Sequence, residues 1–243
     1  MAALSEDAKK AVVVEVNSET DFVAQNEEFV AFCEGLAQTV LEANPADLDA
    51  LKATKFSGKD MTVEEALQEI FLKFRENLKI RRFEKVDAAD GFVVSYIHGG
   101  GRIAVLLSMK GEENDATKEA AMNIAMQIAA MSPKYVSQAD VDQDYLKSEE
   151  DIIREQIAND PAEAAKPDKV KEGMIKGRMS KLMKEVCLND QVYVKAEDGK
   201  QSVAKYLESV GGISVEKFVR FETGEGLEKK EEDFAAEVAA QLG

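Results

Sequence analysis

Apolar and polar positions repeat with two different periods along this chain, and the switches between periods mark its elements. Ala11–Asn17 (AVVVEVN) is short, β-branched and bounded by polar residues, which is the pattern of a buried strand. Ser18–Gln25 (SETDFVAQ) reads as a turn or a single helical turn. Asn26 is then a good N-cap, with Glu27 and Glu28 in a first turn whose dipole favours acidic groups. Phe29, Phe32, Leu36, Val40 and Leu41 recur at helical spacing up to Asn44-Pro45, which stops the helix. Thr62 and Glu65 have capping-box spacing, and their helix runs through Leu67, Ile70 and Phe71 to about Glu76. Leu78–Val86, Gly91–His98 and Arg102–Met109 read as strands. Gly99, Gly100 and Gly101 lie between the last two, as in a hairpin turn that requires positive φ.

A long helix is predicted over Ala116–Met131, stopped by Ser132-Pro133. Two charge-rich helices follow, over Asp142–Ala158 and Asp168–Glu185, joined by Asn159–Pro167. Their few apolar residues (Ile152, Ile153 and Ile157; Val170, Met174, Ile175, Met179 and Leu182) form one narrow seam, the pattern of a projecting antiparallel hairpin. A strand near Gln191–Ala196, a helix near Ser202–Ser209, a strand at Ser214–Glu222 and an amphipathic helix at Glu231–Leu242 complete the reading. A faint duplication runs through it. Val12–Asn44 and Ile103–Met131 both read strand then helix, and Leu78–Glu84 and Glu216–Glu222 share Arg-Phe-Glu. The expectation is an α+β fold of two similar lobes, each an antiparallel sheet packed with helices, plus a helical hairpin insertion and a C-terminal helix. The boundaries read as a linker remnant at 1–11, an N-terminal lobe at 12–91, a C-terminal lobe at 92–138 and 186–223, the hairpin at 139–185 and a C-terminal helical module at 224–243.

Composition narrows the function. The chain has 243 residues, 45% of them hydrophobic and 32% charged, which is enough to build a packed core. Lys plus Arg is 31 and Asp plus Glu is 47, a formal net charge of −16. Such a chain repels phosphate backbones, so a protein partner is expected and a nucleic acid is not. One His and two Cys exclude a Cys-rich zinc site and a disulfide scaffold. No apolar run approaches the ~20 residues that span a bilayer, and MAALSEDAKK has no signal-peptide core. A cytoplasmic location, with no membrane partner, is the expectation.

Little in the chain reads as covalent chemistry. Gly99–Arg102 lacks the spacing of a phosphate loop, and the acidic surroundings of Gly224-Glu225-Gly226 repel phosphate. His98 is the sole imidazole and has no nucleophile elbow beside it. Cys33 and Cys187 have no basic neighbour in sequence to favour a thiolate. No EF-hand spacing is present among the acids. No catalytic residue, metal site or cofactor is therefore expected. One segment stands apart. In Glu15–Phe29 a buried strand runs into Thr20-Asp21-Phe22 at a strand-to-helix turn. A Phe there either tucks onto its own core or stands out as a rigid ring to be pushed into a partner, with a carboxylate beside it.

At this segment the chain resembles the bacterial elongation factor Ts family. The resemblance rests on Glu15–Ala24 (EVNSETDFVA), Glu76-Asn77 with Ile80-Arg81-Arg82, Ser95–Gly99 with Arg102-Ile103, Gly173-Met174 with Gly177-Arg178, Phe218–Glu222 with Gly224–Gly226, and Asp233–Val238. It covers residues 12–242. The resemblance implies a translation elongation factor acting as guanine-nucleotide exchange factor for GDP-bound elongation factor Tu. Thr20, Asp21, Phe22 and Val23 would then act beside the partner's Mg²⁺ site, with further contacts from His98, Val194, Phe234 and Val238. Two departures accompany it. The family usually begins with a small three-helix domain, and residues 1–11 read as the linker that would follow it, so a chain without that domain is the expectation, with the alternative of a scaffold that only sequesters elongation factor Tu. Phe74-Arg75 stand where the family often has Ile-Gly, a partner contact. Homo-oligomerisation is compatible with the sequence.

Overall fold

Four consecutive apolar residues, Ala11–Val14, demand burial on both faces of one strand, and the architecture supplies it. A computed structural model of the chain describes residues 1–227. The elements are β1 (Ala2–Leu4), β2 (Lys10–Asn17), α1 (Asp21–Ala24), α2 (Glu27–Ala43), α3 (Leu48–Ala53), α4 (Val63–Phe74), β3 (Lys79–Asp87), β4 (Gly91–His98), β5 (Ile103–Lys110), α5 (Asp115–Met131), α6 (Gln143–Asn159), α7 (Pro161–Ala164), α8 (Asp168–Val186), α9 (Val203–Ser209) and β6 (Ser214–Glu222). They build two antiparallel sheets, ordered β1-β2-β3 and β4-β5-β6. Val12 and Val14 of β2 pack on Phe29, Phe32, Leu36 and Val40 of α2. The alternate residues Ala11 and Val13 meet Val93, Ala104, Leu106 and Phe221 of the other sheet. Val105, Leu107 and Met109 of β5 face Ile124 and Ile128 of α5. The layers therefore run helix, sheet, sheet, helix, and both central strands are covered on two sides.

The duplication is real at the level of elements. Each central strand is followed by its long covering helix, and each third strand is reached from a later helix, α4 into β3 and α9 into β6. Each central strand also carries a register shift near its end, at Glu15/Val16 in β2 and at Ser108/Met109 in β5. The shared Arg-Phe-Glu is not part of this correspondence. Phe83 lies opposite Val14 and packs toward the helices of its own lobe, whereas Phe221 lies opposite Ala104 and fills the seam between sheets. Phe218, opposite Leu107 and packed toward α5, is the counterpart of Phe83.

Helix ends follow local chemistry. The Asn26 side chain accepts the Glu28 N–H at 2.9 Å, and Asn44 closes α2 in the left-handed region. Thr62 and Glu65 form the reciprocal capping box that opens α4. Between α5 and α9 the chain inserts α6, α7 and α8, where Ile153, Ile157 and Ile175 make a small core separate from that of the lobes.

Two expectations change, and a third falls outside the described residues. Residues 1–11 are not a linker: Ala2–Leu4 pairs with Ala11–Val13 as an edge strand of the first sheet. A three-residue strand is too short to show a period, which is why the pattern missed it. The same brevity hid α3. Gln191–Ala196 is not a strand but an irregular segment with a single bridge, Val192 to Ser202. The helix expected at Glu231–Leu242, with Phe234 and Val238, lies outside the described residues.

Candidate functional site

Thr20 ends the extended chain after β2 and caps α1, its hydroxyl accepting the Val23 N–H at 3.4 Å. A four-residue helix has too few internal hydrogen bonds to hold itself, and two outside ties supply the deficit. Val23 is buried in the first lobe's core. Glu76, just beyond α4, accepts the Thr20 hydroxyl at 2.6 Å and the Thr20 N–H at 3.0 Å. Asn77 donates to Glu19 alongside, and Lys73 pairs with Glu28. With Val23 inward and Thr20 clamped, Phe22 points away from the protein and is 91% exposed. Of its two readings, the ring standing out is the one the structure adopts.

The strand beneath this turn is fixed by a second carboxylate. Glu15 on β2 is buried and accepts from Arg81 (2.8 Å) and Arg82 (2.6 Å) on β3, from Asn17 (3.2 Å), and from the Gly224 N–H (3.0 Å) beyond β6. Burial pushes the Glu15 carboxyl up, but the hydrogen bonds from Gly224, Arg81, Arg82 and Asn17 outweigh it, and its pKa falls below the usual glutamate value. Arg82 also lies over the Phe221 ring at 4.0 Å. One carboxylate thereby joins the central strand of the first sheet to the loop that leaves the second.

A cleft of about 460 Å³ opens between the Phe22 turn and the β4–β5 turn, lined by Thr20 and Asp21 on one side and Gly99–Arg102 on the other. Asp21 and Arg102 face each other at 3.3 Å, both largely exposed, so the pair orients more than it stabilises. The three glycines have φ of 60°, 66° and 96°, the backbone that the hairpin reading required. His98 ends β4 beside this turn, exposed, with its Nδ1 2.9 Å from the Tyr96 hydroxyl.

Other expected site residues fall elsewhere. Phe74 is half-buried against the first lobe's core, so its ring serves packing. Arg75 is exposed at the C-terminus of α4 with φ of 57°, a conformation that glycine adopts freely and arginine does not. That backbone gives a physical reason for the glycine the family often has there. Val194 belongs to the second lobe and is 53% exposed in the irregular segment after α8. Cys33 and Cys187 are buried, and burial drives the Cys33 thiol up to about 12 and raises that of Cys187, the opposite of activation. Among the described residues, no three His, Cys, Asp or Glu side chains are grouped to hold a metal, and no helix is long and apolar enough to cross a membrane.

Pattern reading missed Glu15, Glu76, Arg81, Arg82 and Gly224 as parts of the site. The signal present was a pair of adjacent arginines inside a strand, a concentration of positive charge that demands an acidic partner; the register shift beside Glu15 leaves Arg81 without a cross-strand partner and lets both guanidiniums reach the one carboxylate.

A family model described as Elongation factor TS matches residues 19–225. The chain is 48% identical to an elongation factor Ts of Clostridium perfringens (strain ATCC 13124) over 246 residues, covering 99% of this chain and 79% of that protein. It is 44% identical to that of Clostridium botulinum (strain Eklund 17B), with the same coverage. It is 41% identical to that of Halothermothrix orenii over 98% of this chain and 78% of the relative.

Proposed function

The chain belongs to the elongation factor Ts family of translation elongation factors, and on that premise we propose that it is a guanine-nucleotide exchange factor that releases GDP and Mg²⁺ from elongation factor Tu. The observation that carries the proposal is Phe22, an aromatic ring left 91% exposed on a turn clamped from both sides. Exposing a large ring on so restrained a turn makes sense where a second protein covers it.

The mechanism is differential binding and makes no covalent bond. Phe22 enters the partner's nucleotide-binding domain beside the Mg²⁺ site, with Asp21 fixing the approach. The partner's elements move aside, the geometry between metal and phosphate is lost, and GDP leaves faster. Only contacts stronger in the opened state than in the closed one promote release. The coupling is reciprocal, so bound nucleotide weakens the factor as much as the factor weakens nucleotide. Burying one Phe ring yields roughly 1.5–3 kcal/mol, which corresponds to about 10- to 150-fold in release rate. His98 and Val194 add further grip in this reading. The test is stopped-flow release of a fluorescent GDP from elongation factor Tu with and without the chain. Acceleration that rises with its concentration and saturates is expected; binding with no acceleration would refute exchange.

A further inference from the structure

Beyond the burial of Val23, the stiffness of the Phe22 turn comes chiefly from the C-terminal end of α4. Arg75 leaves that helix in the left-handed region, its N–H bonded to the Phe71 carbonyl at 2.7 Å. A right-handed residue there would carry the chain onward along the helix axis. The left-handed one turns it aside, and Glu76 and Asn77 come to face residues 56 and 58 positions earlier. Both carboxylate oxygens of Glu76 are engaged by Thr20: Oε1 accepts the hydroxyl at 2.6 Å and Oε2 the backbone N–H at 3.0 Å. Asn77 donates to Glu19, and Lys73 on α4 pairs with Glu28 in the first turn of α2. These grips fall at residues 19, 20 and 28, on both flanks of Phe22, and leave the ring itself free.

We propose that Glu76 is a positioning residue for nucleotide exchange: its two-point hold on Thr20 makes the Phe22 turn stiff enough that docking of the ring displaces the partner's elements and not the turn. This rests on the exchange-factor reading above. When two bodies are pressed together, the softer one yields. A four-residue helix has too few internal bonds to resist by itself. On a turn free to bend, the ring could bury itself against the closed partner as well as the opened one. Burial equal in both states shifts neither. On a turn held by Glu76, the ring fits only once the partner has opened, so its burial favours the opened state alone. The carboxylate therefore governs how much of the Phe22 burial energy reaches GDP release, and contributes little to the affinity of the first encounter.

The experiment is the concentration dependence of fluorescent GDP release from elongation factor Tu, driven by the full chain. Glu76→Ala should lower the plateau rate about three- to tenfold and leave the half-saturating concentration within about twofold of wild type. Loss of folded protein would do the reverse, since it moves the concentration axis and keeps the plateau. Glu76→Gln still accepts the Thr20 N–H and can donate to the Thr20 hydroxyl oxygen, so it should recover most of the plateau. Phe22→Ala/Glu76→Ala should release GDP at saturation within about twofold of Phe22→Ala alone, because Glu76 acts through the ring. A Glu76→Ala chain with a wild-type plateau, or one whose half-saturation rises while the plateau holds, would overturn the inference. Full additivity with Phe22→Ala would overturn it too, by showing that Glu76 acts on the partner independently of the ring. A wild-type chain that fails to accelerate release would instead overturn the exchange-factor reading itself.

Discussion

Replacing Phe22 by alanine separates function from stability more cleanly than any other change in this protein. The ring is 91% exposed and joins none of the apolar clusters among the described residues, so removing it should alter folding stability by less than about 0.5 kcal/mol. Its neighbour Val23 is buried, and Val23→Ala, the paired control, should cost about 1–2 kcal/mol. In the proposed exchange mechanism the ring would go from water into a packed site on the partner, a transfer of roughly 1.5–3 kcal/mol. If all of that favours the opened, nucleotide-free state, Phe22→Ala slows GDP release at saturating factor by about one to two orders of magnitude. The assay pairs stopped-flow release of fluorescent GDP with urea unfolding of the same preparations. A Phe22→Ala chain that melts like wild type and still drives full-speed release would show that the ring is not the wedge. A chain that fails to fold would show that the ring belongs to its own core after all.

Three further outcomes follow from the geometry. Glu15→Gln removes the charge that Arg81 and Arg82 share and should cost about 2 kcal/mol in urea unfolding at neutral pH; the partial exposure of both guanidiniums keeps the figure low. Because the folded Glu15 carboxyl is held below its usual pKa, its contribution is fully present above about pH 4.3 and fades on acidification through its folded value. The wild-type advantage over Glu15→Gln should therefore shrink below about pH 4, and an advantage that grew there would contradict the assignment. Arg75→Gly relieves a left-handed backbone at φ of 57° and should raise stability by about 1 kcal/mol, read as a higher urea midpoint; a lower midpoint would mean the arginine side chain matters more than its backbone. We also propose that the hairpin of α6, α7 and α8 is an appendage to the second lobe, since it carries its own small core. Replacing Asp142–Glu185 by a short loop should leave a cooperative melt of the two lobes, and a chain that loses cooperativity would place the hairpin within the folding unit.

Much of the fold is legible in residue pattern because its signals are local. Asn26, Thr62 and the glycines at 99–101 each announce a cap or turn through their own side chain or its absence, and each acts there as expected. The run Ala11–Val14 reads as a strand because β-branched residues crowd a helix but suit a pleated surface. Short elements escape: Ala2–Leu4 and Leu48–Ala53 do not complete enough periods to be distinguished from loop. Gln191–Ala196 deceives for the opposite reason. It alternates like a strand, yet a buried glutamine rather than a neighbouring strand fixes its alternation. The shared Arg-Phe-Glu misleads in the same way, since register alone assigns Phe83 to one face and Phe221 to the other.

By itself the amino-acid sequence determined where the longer helices begin and stop, that Ala11–Asn17 is a buried strand, and that an aromatic and an acid sit side by side on a turn. These depend on torsions and contacts within a few residues. Whether Phe22 faces in or out was decided only by tertiary structure. Its direction follows from Val23 sinking into the core and from Glu76, 56 residues further on, gripping Thr20. The pairing of Glu15 with Gly224 spans 209 residues. Such pairs leave no local periodicity, because the distance that matters to a hydrogen bond is measured through space, and only the packed sheets bring those atoms within reach.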